Sequence, residues 1–338
     1  MTQSFQALVV DQTQDGEVQA EVRSLEAGSL PAGEVLIRVA YSSINYKDGL
    51  AARKDGNIVK AYPFVPGIDC SGTVVSSEDS RFSEGQAVLV TGYGLGVSQF
   101  GGFSQYARVP ADWVVPLPNG LTPREAMIFG TAGFTAALSL YRLEQNGVTP
   151  EQGKVLVTGA TGGVGGAAIA LLNKRGYHVV ASSGKADALD YLKALGAAEV
   201  ISREEVYDGA ESIRPLGKQL WQAAVDPVGG KPLASLLSQI AYNGSVAVSG
   251  LTAGTKLPTT VLPFILRGVS LLGIDSVFCP YDTRVAIWKR LGSEWKPEQL
   301  EQLEQLVERE VGLADLPSAL EDILAARSQG RTLVRLVD

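Results

Sequence analysis

Five glycines fall within eight positions of this chain, at Gly159, Gly162, Gly163, Gly165 and Gly166. They follow an apolar run, Val155-Leu156-Val157-Thr158, and precede Val164, Ala167, Ala168, Leu171 and Leu172, which are spaced as one face of a helix. A strand, a turn of small residues and a helix N-terminus form the combination that binds a dinucleotide pyrophosphate. The backbone can come close to the diphosphate, and the positive end of the helix dipole faces its charge. The pattern Ala160-x-Gly162-x-x-Gly165 is a variant of the dinucleotide fingerprint, and its place between strand and helix separates it from an ordinary tight turn.

The next apolar run ends Val179-Val180-Ala181-Ser182-Ser183-Gly184-Lys185. A site for NAD usually carries Asp or Glu here, bonded to the ribose hydroxyls. This chain offers hydroxyls and an ammonium instead, which suit a phosphate dianion. Arg203, after the following strand, adds a planar cation. The expected cofactor is therefore NADPH. A polar turn with a surface lysine is the alternative, and it leaves the missing acid unexplained.

Other signs of chemistry are sparse. The single histidine, His178, sits within an apolar run and reads as a strand residue. With no G-x-S-x-G elbow, a serine hydrolase is not expected. Two cysteines, Cys70 and Cys279, make neither a disulfide framework nor a zinc cluster and suit a reducing, cytoplasmic setting. A net charge of −7 argues against nucleic acid as partner. No run of eighteen apolar residues and no basic, apolar leader is present, so no membrane association is expected. The letters T-G-A-T-G-G-V-G also suit short-chain dehydrogenases, but those use a Tyr-x-x-x-Lys pair. None of the eleven tyrosines here has a lysine four positions on.

These residues need elements to hold them. With 338 residues, 45% of them hydrophobic, the chain suits two domains. Residues 1 to 122 carry short β-type runs at Gln6–Val10, Val35–Tyr41, Gly72–Ser76, Ala87–Thr91, Phe103–Val109 and Trp113–Leu117, the pattern of a small barrel or sandwich. From 123 to 297, strands at Val155–Thr158, Val179–Ser182, Glu199–Ile201, Ala223–Val225, Ser245–Ser249 and Ser270–Ile274 alternate with helical segments. That alternation predicts a parallel sheet with helices on both faces. Gly176 and Gly196 stand where helix C-terminal caps belong. Residues 298 to 338 predict helices around Pro297–Arg309 and Pro317–Arg327, then a strand, Thr332–Val337, that rejoins the first domain for a partner.

Several further stretches carry a resemblance. These are Ser42-Ser43-Ile44-Asn45-Tyr46-Lys47-Asp48-Gly49, Pro66-Gly67-Ile68-Asp69-Cys70-Ser71-Gly72, Gly101-Gly102-Phe103-Ser104-Gln105-Tyr106, Gly130-Thr131-Ala132-Gly133-Phe134-Thr135-Ala136, Leu257-Pro258-Thr259-Thr260-Val261-Leu262-Pro263-Phe264-Ile265-Leu266-Arg267 and Gln329-Gly330-Arg331-Thr332-Leu333-Val334. With the glycine turn they run through nearly the whole chain. The chain resembles the medium-chain dehydrogenase/reductase superfamily, and within it the YhdH/YhfP-type quinone oxidoreductases and NADPH-dependent acrylyl-CoA reductases. The resemblance implies an α/β fold: a GroES-like β-barrel catalytic domain (1–122 with 298–338) and a Rossmann doubly wound parallel sheet (123–297).

The resemblance also implies a site. Zinc members of the superfamily place Cys, His and Cys where this chain has Asn45, Ile68 and Thr131, so no metal is expected. Thr161, Gly162, Gly163 and Val164 would cradle the pyrophosphate. Ser183, Gly184, Lys185 and Arg203 would hold the 2′-phosphate, although the branch more often has arginine in place of Lys185. Tyr46, Leu251, Ile265 and Ser276 would lie near the nicotinamide, with Arg331 reaching across from the tail. Tyr46 and Asn45 are the catalytic candidates, bonding a developing enolate while Tyr46 or water supplies a proton. Asp48 and Asp69 read as fold residues. The implied reaction is conjugate reduction of an enoyl-CoA, enone or quinone, with a non-catalytic NADPH-binding protein as the alternative of another class. The apolar stretch Gly268–Val277 looks like a sheet edge, and such edges invite pairing, so a homodimer is expected.

Overall fold

The computed structural model describes residues 4–297 and 300–337. The chain divides into two compact units, Met1–Thr131 with Val277–Gly292 and Val307–Asp338, and Ala132–Ser276 with Ser293–Leu306. The units are more interleaved than breaks at 122/123 and 297/298 would make them, and residues 298 and 299 lie outside the described residues. The helix Pro123–Gln145 bends at Gly130 (φ 53°, ψ −156°), next to the point where one unit gives way to the other. It is also long and apolar enough to cross a membrane, but 83% of its most apolar window is buried inside the protein, as in a core helix.

In the second unit six strands form a parallel sheet: Lys154–Val157, His178–Ser183, Glu199–Ser202, Trp221–Asp226, Ile240–Val248 and Ser270–Gly273. Counted along the chain, their spatial order is 3-2-1-4-5-6. This is the doubly wound order, which reverses between the first and fourth strands and leaves a crevice at their C-terminal ends. Runs such as Val155-Leu156-Val157 and Val179-Val180-Ala181 are fully buried, as strands covered on both faces must be. Gly176 and Gly196 end their helices with φ of 81° and 104°. Each makes a Schellman cap: Gly176 N–H donates to Asn173 O and Tyr177 N–H to Leu172 O, with the same pattern from Gly196 and Ala197.

The first unit is built on antiparallel strands. Val35–Ser43 pairs with Asp69–Ser77, Tyr106–Val109 and Arg331–Arg335, and Asp69–Ser77 pairs with Ala87–Thr91. Its core gathers Leu8, Val35, Ile37, Val39, Val88, Val90, Phe103 and Val334. The last strand rejoins this sheet, as its need for a partner predicted. Two elements differ from expectation. Of the helix predicted over Pro297–Arg309, Leu300–Glu304 is helical, residues 298 and 299 lie outside the described residues, and Val307–Val311 is instead a strand parallel to Arg331–Arg335. Its alternating letters, Val-Glu-Arg-Glu-Val, fit a strand with one face on a neighbour, and the pairing decides it. Val18–Glu26, too polar to stand out in the sequence, pairs antiparallel with Ser4–Gln12.

Candidate functional site

The glycine turn has the form a pyrophosphate site needs. Gly162 precedes the twelve-residue helix Gly163–Lys174, and no side chain caps its first amides. A methyl group on Gly162 would meet nothing closer than Gly159 O at 3.4 Å, and the residue is exposed; its amide donates to Gly159 O at 3.0 Å and closes the turn, while Thr161, Gly163 and Val164 are half-buried. Gly165 serves packing instead: a Cβ there would run into Gly159 O and stand 2.8 Å from the Cα of Ala160. A turn of small residues opening onto a helix N-terminus fits a diphosphate.

Register brings the next group together. Ser183 ends the second strand directly opposite Ser202 of the third, so Arg203 follows one position on. The Arg203 side chain lies against Gly184, whose added Cβ would stand 2.9 Å from its Cζ and Nε. Ser183 Oγ accepts the Lys185 amide at 3.0 Å. Ser183, Gly184, Lys185 and Arg203 thus share one corner of the sheet, and the strand presents no carboxylate there. Arg203 pairs with Glu204 at 3.1 Å, in an exposed pair that a phosphate can displace cheaply. Leu251 and Ile265 are 61% and 68% exposed, with apolar surface available to a ring. Ser276 is anchored by the Thr135 hydroxyl at 2.8 Å.

The first unit holds a second constellation. Asn45 caps the short helix Tyr46–Ala51 in a capping box: its backbone N–H donates to Asp48 Oδ2 at 2.8 Å. Asp48 Oδ1 accepts the Ile68 amide at 2.9 Å. Burial, and after it the nearby charge of Asp69, pushes the Asp48 carboxyl up to about 7. Asp69, also fully buried, accepts from Ser43 Oγ and Asn45 Nδ2 at 2.7 Å each, and from Thr131 Oγ1 at 2.5 Å. The Thr131 amide adds a donor at 3.0 Å. One carboxylate therefore ties together Asn45 and Thr131, the two positions matched above to cysteines of the zinc enzymes. Among the described residues, no three His, Cys, Asp or Glu side chains are grouped so as to hold a metal.

Two of the expected site residues have partners within the first unit. Arg331, expected to reach across from the tail, is buried in a polar network. It is 3% exposed, and it donates to Ile128 O, Ile44 O, Asn45 Oδ1 and Ser43 Oγ at 2.6–3.2 Å, with Asp69 Oδ2 at 3.7 Å. A buried guanidinium needs such acceptors, and this network supplies them. Asn45 was expected to bond an enolate, but its amide hydrogens already point at Asp69 Oδ2 and Ser43 O. It stands at the helix start. Tyr46, the next residue, is 47% exposed, and no partner is found for its hydroxyl among the described residues. His178 is a strand residue paired with Glu199, and both cysteines are buried thiols.

An antiparallel unit with a buried polar hub, joined to a doubly wound sheet with a diphosphate cradle, defines a two-unit, dinucleotide-dependent oxidoreductase. Comparison with known proteins gives the family. Residues 31–119 match the alcohol dehydrogenase GroES-like domain, and 163–289 match the zinc-binding dehydrogenase domain. The chain belongs to the medium-chain dehydrogenase/reductase superfamily. It is 62% identical to "Putative quinone oxidoreductase YhfP" of Bacillus subtilis, over 99% of this chain and all of that one. It is 48% identical to acrylyl-CoA reductase AcuI of Ruegeria pomeroyi, over 98% of each chain. The crystal structure of B. subtilis YhfP with NAD bound superposes with a TM-score of 0.95, covering 99% of this chain and all of that one. That of the Salmonella enterica YhdH oxidoreductase with NADP, 50% identical, gives 0.94, covering 98% of this chain and all of that one.

Proposed function

We propose that this chain is an NADPH-dependent reductase of activated carbon–carbon double bonds, with acrylyl-CoA as its substrate. The observation that carries the cofactor choice is the corner formed by Ser183, Gly184, Lys185 and Arg203, where cations and a hydroxyl stand in place of an acid. NADPH, when bound, supplies the hydride for the β-carbon.

The chain's own groups do the rest. The turn from Thr161 to Val164 holds the pyrophosphate. Lys185 and Arg203 neutralise the 2′-phosphate, and the Ser183 hydroxyl donates to it. Leu251 and Ile265 offer apolar surface to the nicotinamide, and Ser276 a hydroxyl. Negative charge that develops on the thioester oxygen is met by the Tyr46 phenol, which then gives its proton to the α-carbon and regains one from water. Asn45, Asp69 and Arg331 keep the helix start rigid beneath Tyr46, the kind of positioning that supports catalysis. The exposed Val261 and Leu266 near the edge strand Ser270–Gly273 support pairing with a second copy. Cys70 and Cys279, both buried thiols, support a cytoplasmic setting.

A second reading, a broad quinone or enone reductase, is favoured by the 62% identity to YhfP. Oxidation of NADPH with acrylyl-CoA and with a simple quinone, at equal concentrations, separates the two. Cofactor binding without turnover on either substrate would leave a non-catalytic NADPH-binding protein.

A further inference from the structure

Asp226 ends the fourth strand of the parallel sheet, at the place where strand order reverses, and it is fully buried. Nothing in the reaction proposed above uses it. Its Oδ1 accepts the Thr158 hydroxyl at 2.6 Å, and its Oδ2 accepts the Gly229 amide at 2.8 Å. Thr158 is the residue just before the glycine turn. Gly229 belongs to a second turn, Pro227-Val228-Gly229-Gly230, in which both glycines have positive φ (71° and 62°).

This second turn is wedged between two others. On one side, a Cβ on Gly159 would stand 3.2 Å from Val228 Cγ2 and 3.3 Å from Pro227 Cγ. On the other, Cβ atoms on Gly229 and Gly230 would stand 2.7 Å from Gly250 O and 2.5 Å from Ala253 O, and one on Gly250 would run into Pro227 O. The Asp226 carbonyl accepts from Ser249 at 3.0 Å, and the Val228 carbonyl from Ala253 at 2.9 Å. The pyrophosphate turn therefore packs on the Val228 and Pro227 side chains of the Asp226 turn, and the Asp226 turn is in backbone contact with the Leu251 turn, with one carboxylate in the middle.

We propose that Asp226 is a positioning residue that fixes the pyrophosphate turn (159–164) and the Leu251 turn (250–254) relative to each other, and so sets the geometry of the cofactor without touching it. Removing its charge frees both turns. Removing only the Thr158 hydroxyl frees the glycine turn and leaves the Gly229 bond in place.

The test uses the full chain, free and with ligand. In Asp226→Asn, amide hydrogen exchange in the free protein should accelerate in both 159–164 and 250–254, while the core of strand His178–Ser183 stays protected. In Thr158→Val it should accelerate in 159–164 alone. Both variants should weaken NADPH binding by about tenfold or more, the worth of one hydrogen bond to a charged group. Adenosine 2′-monophosphate, which carries the 2′-phosphate but neither phosphate of the pyrophosphate, should bind as it does to the unsubstituted protein. Unchanged exchange in a folded Asp226→Asn, or equal loss of NADPH and 2′-monophosphate binding, overturns the proposal. If Asp226→Asn does not fold, Thr158→Val decides, and unchanged exchange in 159–164 counts against it. The ligand arm rests on the NADPH reading and the exchange arm does not. If the unsubstituted protein fails to bind NADPH, that reading falls and exchange alone decides the role of Asp226.

Discussion

Gly130 turns its bare Cα toward the carboxylate of Asp69: a methyl group there would stand 2.6 Å from Oδ2, 2.5 Å from Ser43 Oγ and 2.7 Å from Arg331 Nη2. The bend in Pro123–Gln145 thus serves the buried hub. It lets the Thr131 amide and hydroxyl reach Asp69, which a straight helix with a side chain at 130 would prevent. Gly130→Ala should lower stability by about 2–4 kcal/mol, from the strained backbone region together with overpacking. Denaturant unfolding at neutral pH measures it, and a loss below 1 kcal/mol would contradict this account.

Arg331 and Asp69 form the charged centre of the same hub. Arg331→Met keeps the length and removes the donors, so Asp69 keeps its charge without its cation. The expected loss is about 3–5 kcal/mol, the range for breaking a buried pair from one side. Arg331→Lys should recover only part of it, because an ammonium cannot serve four acceptors in a planar fork. Thermal unfolding of both variants checks the order.

Tyr46→Phe should leave folding intact, since the phenol is exposed, and lower kcat/KM by about 10²–10⁴-fold as a general acid is lost. KM for NADPH should hardly change. A variant with full kcat/KM would remove the phenol from the chemistry.

Lys185→Ala and Arg203→Ala should each weaken NADPH more than NADH, and Ser183→Asp with Lys185→Ala should invert the preference by like-charge repulsion. Fluorescence titration of both cofactors decides. The bound NAD in the B. subtilis YhfP structure makes the NADH control essential.

Asp48 gives a pH prediction. Its carboxyl is pushed from 3.8 up to about 7 by burial first and Asp69 second. Between those values the folded protein holds a proton that the unfolded chain has released. Stability from this group is therefore present at low pH and falls as pH rises from about 4 to about 7, by up to about 1.4 kcal/mol per pH unit. Asp48→Asn should flatten that part of the stability–pH curve. Urea midpoints across the window, compared with the unsubstituted protein, measure the difference.

The cofactor half of the site was the more legible in sequence, because its signals are local. The Gly159–Gly166 turn and the Ser183–Lys185 strand end each occupy a few consecutive residues, and the spacing of strands supplied the sheet. The buried hub was not legible as a unit. Arg331 bonds Asn45 across 286 positions, and nothing near Arg331 in sequence names its acceptors. The available hint was an arginine opening an otherwise apolar strand, Arg331-Thr332-Leu333-Val334. Asp226 carried a similar hint, an acid ending the apolar run Ala223-Ala224-Val225 ahead of Pro227 and two glycines. Its bond to Thr158 depends on the first and fourth strands being neighbours, which only the assembled sheet decides.

The late position of Arg331 has a consequence for synthesis. Ser43, Asn45 and Asp69 leave the ribosome long before the guanidinium that completes them, 288 positions after Ser43. Until the strand Arg331–Arg335 arrives, the strand Val35–Ser43 lacks a neighbour and a buried carboxylate lacks its cation. The parallel sheet from 154 to 273 can meanwhile assemble from segments already made. The nascent first unit therefore waits with an open edge, and during that interval it is the part of the protein most in need of protection from other chains.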